Sequence, residues 1–390
     1  INIHETMDKP EAIKALEQEL NTTFEQVAQE EITKFKELGK KYAEYALNEA
    51  GQLTGLCIAR FQLEAIPKPL HHPVGWKHLT KPTDLSPLQG LTALRDLNLS
   101  YNQLTDLSPL QGLTALTVLN LARNQITDLS PLQGLTALTV LNLDSNQLTD
   151  LSPLQGLSGL TELNLASNQL TDLSPLQGLT ALTELNLINN RVTDLSPLQG
   201  LTALTELRLD NNQVTDLSPL QGLTALTELN LHSNKLTDLS PLQGLTALTQ
   251  LNLIENPITD LSPLQGLTGL ERLDLRRNPL KSLPPWVAEF PNMDIQWKDD
   301  LLPKNGYITF YDNPLEDPPP EIVKQGKEAV RNYFAQKQAQ GEDYLFEAKL
   351  LIVGEPGAGK TTLAWKLQSP EAPMPTEEDT TRGIEVLPLH

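Results

Sequence analysis

Gly354, Glu355, Pro356, Gly357, Ala358, Gly359, Lys360, Thr361 and Thr362 have the residue types and spacing of a phosphate cradle, G-x-x-x-x-G-K-[ST]. The glycines let successive backbone N–H groups turn toward one anion, and the helix start behind them adds its positive dipole. Lys360 supplies a mobile charge for the β- and γ-phosphates, and the Thr361 hydroxyl is placed to hold Mg²⁺. Leu350, Leu351, Ile352 and Val353 form a buried-strand run ahead of the loop, while Leu363, Ala364 and Leu367 give a helix face behind it. That strand, loop, helix order is what nucleoside phosphate binding requires. After residue 361 the sequence has no D-x-x-G and no N-K-x-D, the segments that would complete the metal site and read a guanine base. These 390 residues alone are therefore expected to bind nucleotide weakly or not at all and to show no turnover.

Most of the chain before that loop is periodic. TDLSPLQGL recurs from Thr83, Thr105, Thr127, Thr149, Thr171, Thr193, Thr215, Thr237 and Thr259, always 22 residues apart. One unit runs Leu94, Leu97, Leu99, Asn102, Leu104, Leu107, Leu110, Leu113, which is the leucine pattern of a solenoid. Leu97 and Leu99 alternate as a short strand needs, and the later leucines at threes suit a tight return on the opposite side. A single unit cannot bury its own leucines; stacked units can, with their strands paired into one parallel sheet on the concave side of an arc. Ser108 before Pro109 reads as a cap on the return. The column Asn102, Asn124, Asn146, Asn168, Asn190, Asn212, Asn234, Asn256 and Asn278 reads as a structural ladder, because an amide both donates and accepts and can satisfy backbone groups that leave the sheet. The expected fold is thus α/β: a leucine-rich-repeat solenoid with a helical N-terminal segment and the start of a phosphate-loop domain.

The ends are irregular, as solenoid caps are. Residues 1–52 read as a helical segment, one bent helix or two, from apolar residues at threes and fours such as Ile13, Leu16, Leu20 and Phe24. Residues 53–82 form a worn first repeat and cap, in which Leu53, Leu56 and Ile58 keep the spacing and Phe61 takes the asparagine place. Regular repeats occupy 83–280, and irregular repeats with a last unit through Ile308, Phe310, Asn313 and Leu315 occupy 281–320. A helix from Glu321 to about Lys337 and a polar link fill 321–344, ahead of the phosphate-loop segment at 345–390.

Composition narrows the partners. A formal charge of −20 argues against nucleic acid or an anionic membrane surface. Cys57 is the only cysteine, so no intrachain disulfide or cysteine-based metal cluster can form, which fits a cytoplasmic location. No apolar run is long enough to span a membrane. His71, His72 and His78 lie close together but lack a regular ligand interval and read as a capping-loop cluster.

The positions flanking the strand leucines are the candidate partner-binding surface. Glu162, Glu184, Glu206 and Glu228 make a uniform acidic column beside Asn164, Asn186, Asn230 and Asn252. Tyr101, Arg123, Asp144, Asp210, His232 and Glu255 vary from unit to unit. Variation on a constant scaffold suits recognition of a protein ligand, and the acidic column favours a basic or amide-rich one.

The segments GYITFYDNPLEDPPPEIVKQGKEAVRNYF and LFEAKLLIVGEPGAGKTTL together resemble the junction in ROCO-family proteins, where leucine-rich repeats lead into a Ras-like Roc GTPase domain. The resemblance implies GTP or GDP with Mg²⁺ as cofactors, bound by residues 354–362, and it aligns Thr381 in DTTRGIEV with the switch threonine that reaches Mg²⁺ and the γ-phosphate. It further implies a slow GTPase switch coupled to the repeats, a COR domain beyond Roc through which the family dimerises, and in some members a protein kinase. The repeats alone also resemble internalin-type adhesins. A pure protein-interaction scaffold with a vestigial phosphate loop is the competing reading.

Overall fold

The computed structural model describes residues 85–299 and 305–340, together with the backbone of three short strands nearer the N-terminus. The chain divides into two compact units, Ile1–Arg331 and Asn332–His390. In the second, the described part is the end of one helix, where Tyr333 and Phe334 meet edge to face at 5.5 Å. The phosphate-loop residues 354–362, Thr381, Phe61 and the histidines at 71, 72 and 78 lie outside the described residues.

The first unit carries one sheet. Its strands are β1 (Glu25–Gln26), β2 (Ala43–Leu47), β3 (Leu53–Ile58), β4 (Asp96–Asn98), β5 (Val118–Asn120), β6 (Val140–Asn142), β7 (Glu162–Asn164), β8 (Glu184–Asn186), β9 (Glu206–Arg208), β10 (Glu228–Asn230), β11 (Gln250–Asn252), β12 (Arg272–Asp274), β13 (Asp294–Gln296) and β14 (Tyr307–Thr309). Spatial order follows the chain to β12 and then runs β14, β13. All pairs are parallel except β2 with β3.

From β4 to β12 each strand is three residues long, far too short to stand alone, and the repeat supplies the rest. The middle leucine of each strand points inward: Leu119, Leu185 and Leu207 are at most 1% exposed, as are the leucines of the return such as Leu107, Leu110 and Leu113. The return is a 3-10 turn in every unit, for example Ser108–Leu110 and Ser196–Leu198. Proline at its second residue presets the φ of that turn.

The asparagine column is a hydrogen-bonded spine. Asn190 Nδ2 donates to the carbonyls of Leu165 (3.0 Å), Leu187 (3.1 Å) and Ile188 (3.2 Å), and its Oδ1 accepts the Leu170 N–H at 3.1 Å. Each asparagine therefore ties its own turn to the preceding repeat, at the point where the backbone leaves the sheet ladder. A second ladder runs beside it: Thr183 Oγ1 donates to the Thr161 carbonyl at 3.0 Å, and Thr205 Oγ1 to that of Thr183 at 3.1 Å. These threonines bridge consecutive repeats in a manner the residue pattern alone does not announce, since threonine before a strand is an ordinary β-former.

Three sequence expectations are corrected. Ser108 is the first residue of its turn rather than its cap, a position held by Leu107, and Asp106 accepts the Ser108 N–H at 2.8 Å and the Ser108 hydroxyl. An acceptor carboxylate two residues before the turn outcompetes a hydroxyl inside it. Within the segment expected to be helical, Glu25–Gln26 and Ala43–Leu47 are strands; the partner strand β3 decides it, with Tyr45 opposite Leu56, and the other residues of 1–52 lie outside the described residues. The helix expected from Glu321 is two helices, α1 (Pro320–Val323) and α2 (Lys327–Gln340), broken at Gly326, whose φ of +94° is outside the helical region.

The far end of the sheet departs from the period. Asp294 follows Arg272 by 22 residues, so the repeat would set β13 beside β12, yet β14 occupies that place and β13 becomes the edge. The reason is the spine. Ile308 is followed five residues later by Asn313, whose Nδ2 donates to the carbonyls of Leu275 (2.8 Å) and Phe310 (2.8 Å) and whose Oδ1 accepts the Leu280 N–H (3.2 Å). Ile295 is followed five residues later by Asp300, which has no N–H in its side chain to donate. The β13 edge is in turn closed by Lys327: its backbone N–H reaches Asp294 Oδ1 at 3.1 Å, and its ammonium donates to the carbonyls of Met293 (3.0 Å) and Phe290. Covering an edge in this way removes a template for uncontrolled strand pairing.

Candidate functional site

From β4 to β12, the first and third residues of each strand flank the buried leucine and lie on the other face of the sheet. Their side chains border a groove of about 690 Å³ that runs from Asp96 to Arg208 across β4 to β9. Parallel in-register pairing decides what meets what: Glu162 stands opposite Glu184, Glu184 opposite Glu206, and Glu206 opposite Glu228. The acidic column read from the sequence is therefore contiguous, and Val118 and Val140 continue the same row toward β5 and β6.

The asparagines beside that column have a structural task. Asn120 Oδ1 accepts the Ala122 N–H (3.0 Å), Asn164 that of Ala166 (3.1 Å), Asn186 that of Ile188 (3.1 Å) and Asn252 that of Ile254 (3.2 Å). Each closes a local turn that bends the chain out of the strand.

The variable residues named from the sequence fall into two backbone classes that the sequence did not separate. Asp144, Asp210 and His232 sit at the second position after the strand. Tyr101, Arg123 and Glu255 sit one residue later, at φ of 60°, 58° and 56°. Such left-handed conformations are disfavoured for residues with a Cβ. The scaffold imposes them by using the N–H of that residue between repeats: Arg123 donates to the Asp144 carbonyl (2.7 Å) and Glu255 to that of Arg276 (3.1 Å).

The structure gathers the candidates into groups. At one end Arg123 lies over the Tyr101 ring, 5.0 Å from its centroid, with Asp144 Oδ2 3.9 Å from its Nε. In the middle Arg208, which sequence reading passed over, contacts Glu206 (2.6 Å) and Glu228 (3.6 Å). Burial raises the Glu206 carboxyl above its ordinary range, and the Glu228 and Glu184 charges add to this while Arg208 opposes it. Burial likewise raises Asp210, partly countered by its own N–H and by His232 and Arg208. The signal for Arg208 is in the sequence, because it replaces asparagine in an otherwise Asn/Asp column.

The third group was also missed in part. Arg276 donates to buried Asp274 through Nε (2.9 Å) and Nη2 (2.8 Å) and to Asp299 (3.2 Å), and Arg277 links Asp299 (2.9 Å) to Glu255 (2.7 Å). Glu255 further accepts the Ser233 hydroxyl (2.6 Å) and lies 3.4 Å from His232 Nε2. The Ser233 hydroxyl and then Arg277 pull the Glu255 carboxyl from 4.5 to about 2. A carboxylate with a depressed folded-state value adds stability that is complete above pH 4.5 and lost as pH falls through about 2. Urea midpoints measured between those limits are expected to fall more steeply for the wild type than for Glu255→Gln; equal slopes would show that the contact contributes nothing.

Among the described residues no group of three or more His, Cys, Asp or Glu is placed to hold a metal ion, and no helix is long and apolar enough to cross a membrane.

Comparison with known proteins agrees with this architecture. Family models described as leucine-rich repeats match residues 83–126, 114–156, 158–200, 202–244 and 225–280. Among solved structures, the internalin inlF of Listeria monocytogenes superposes with a TM-score of 0.53 at 31% identity, covering 68% of this chain and 74% of that one. Two curated proteins called Roc-COR-CHAT protease are similar over shorter stretches. One, from an unknown prokaryotic organism, is 34% identical over 24% of this chain and 10% of its own length. The other, from Runella zeae, is 39% identical over 12% of this chain and 5% of its own length. The chain thus spans about a tenth or less of the curated relatives it matches.

Proposed function

The chain is a leucine-rich-repeat protein, and on that premise we propose that its sheet face is the protein-recognition surface of a ROCO-type, nucleotide-controlled signalling protein. The observation that carries this reading is the presence in one chain of a uniform repeat sheet with a groove of variable residues and of the sequence GEPGAGKTT. Two curated relatives carry Roc and COR in their names, which supports the nucleotide half. In this reading residues 354–362 hold the phosphates of GTP or GDP, with Lys360 on the β- and γ-phosphates and Thr361 and Thr381 on Mg²⁺. Guanine nucleotide and a protein ligand on the sheet are then the two inputs, and the cytoplasm is where both are available.

The test is a titration of the full-length gene product with fluorescent GDP in the presence of Mg²⁺. Lys360→Ala is expected to weaken binding by roughly 10- to 100-fold, the equivalent of the about 1.5–3 kcal/mol that a hydrogen bond to a charged group contributes. Absence of binding by the wild-type full-length protein would discard the switch and leave an interaction scaffold.

A further inference from the structure

We propose that the sheet face over β5–β10 binds an extended polypeptide segment that sets an apolar side chain on Val118 and Val140 and a lysine or arginine on Glu184, Glu206 and Glu228. The proposal rests on the sheet face being the recognition surface and adds the chemistry of the partner. Its first support is an irregularity. In the repeats of β5 to β8 and β11, the third strand residue closes the turn by accepting an N–H two residues on. Two consecutive strands, β9 and β10, abandon that device. Arg208 has no side-chain acceptor to offer, and Asn230 instead donates to Glu228 Oε1 at 2.9 Å. A structural rule given up at two adjacent repeats, on the exposed face alone, marks a site kept for another purpose.

The second support is charge. Arg208 pairs with Glu206 at 2.6 Å and Glu228 at 3.6 Å, while Glu184 stands beside Glu206 on the neighbouring strand and Asp210 follows Arg208 by two residues. Glu206 and Asp210 are partly desolvated with incomplete compensation, so an incoming ammonium or guanidinium gains more here than at an open surface. The third support is geometry. The groove extends from Glu184 and Glu206 to Val118 and Val140, three strand steps away, or about 14 Å at ~4.8 Å per strand. An extended chain advancing about 3.4 Å per residue covers that distance in about four residues. A cation four residues from an apolar residue, on the same face of the segment, therefore meets both ends of the groove.

The probe is a fluorescein-labelled peptide, Thr-Val-Thr-Val-Thr-Lys-Thr-Lys-Thr, whose valines and lysines alternate onto one face, compared by anisotropy with its Gln-for-Lys counterpart on the full 390-residue chain. The lysine peptide is expected to bind about tenfold more tightly, and Glu206→Gln with Glu228→Gln is expected to remove most of that preference. Asp150→Asn with Asp172→Asn removes the same charge from the 3-10 turns and is expected to leave the preference intact, since both acids serve only the turns of Ser152 and Ser174. Arg208→Asn, which restores the residue of the column and withdraws the competing cation, is expected to tighten lysine-peptide binding by about threefold or more. Equal binding of the two peptides, an equal loss in the Asp150/Asp172 variant, or weaker binding by Arg208→Asn would each overturn the proposal. None of these outcomes bears on nucleotide binding, so the peptide and GDP experiments fail separately.

Discussion

Asp274→Ala is expected to lower stability by about 3–5 kcal/mol, measured as the shift in urea unfolding followed by circular dichroism. Asp274 is fully buried and accepts two bonds from the Arg276 guanidinium, at 2.9 and 2.8 Å, one from the Arg276 N–H at 3.3 Å and one from the Thr309 hydroxyl at 2.9 Å. The Arg276 side chain is only 6% exposed, so removing its bidentate partner leaves a buried guanidinium with Asp299 as its carboxylate among the described residues. Thr309 belongs to β14, so the same substitution loosens the strand that closes the regular repeats. The control is the double variant Asp274→Asn with Arg276→Ala, which recreates the pairing of Asn120 with Ala122 found earlier in the sheet. It removes both buried charges together and is expected to recover most of the loss. If the double variant is as unstable as Asp274→Ala, the penalty does not come from an orphaned charge.

Asn190→Ala, in the middle of the spine, is expected to cost about 3 kcal/mol. It leaves the Leu170 N–H without its acceptor and takes one of two side-chain donors from the Leu165 carbonyl, which keeps Asn168 Nδ2 at 3.1 Å; a buried group left unsatisfied costs about 1–3 kcal/mol. Asn190→Asp is expected to be worse, because it keeps the acceptor for Leu170 but aims a carboxylate at three carbonyl oxygens. Since repeats contact chiefly their neighbours, a break at this point also divides the cooperative unit. Calorimetry should then show two overlapping transitions where the wild type shows one. A single unshifted transition for Asn190→Ala would mean the spine is dispensable.

Much of this architecture can be read from the chain. The alternation of Leu97 and Leu99, the leucines at threes and the 22-residue period define a parallel solenoid, and the amide chemistry of Asn102 and its equivalents defines the spine. What could not be read are the competitions that only the fold decides. Asp106 and Ser108 both have side-chain oxygens at the start of the return, and it is the aspartate that accepts the Ser108 N–H, with Leu107 at the cap position. The segments around Ile295 and Ile308 both have strand character, and the presence of an amide at residue 313 rather than a carboxylate at 300 selects the neighbour of β12. Ala43–Leu47 carries helical composition but pairs with β3.

The candidate site was legible to a similar depth. Glu162, Glu184, Glu206 and Glu228 do come together, because in-register pairing turns a sequence column into a spatial row. The variable positions mixed two backbone classes, since a left-handed φ at Tyr101, Arg123 and Glu255 has no signature when so many residue types occupy it. Arg208 and the Asp274–Arg276 pair escaped notice because each departs from its column by one residue, a deviation that gains meaning only when the bond it replaces is known.

The central claim is that one unbroken, asparagine-tied sheet carries the protein-recognition surface. Amide hydrogen exchange on the 390-residue chain tests it most directly, read at the N–H groups that donate to a spine asparagine, from Leu104 on Asn124 to Leu280 on Asn313. The account predicts that these amides are protected together, with the interior ones, such as Leu170 and Val192, exchanging last. Exchange at the rate of an unstructured peptide at any interior position would contradict it.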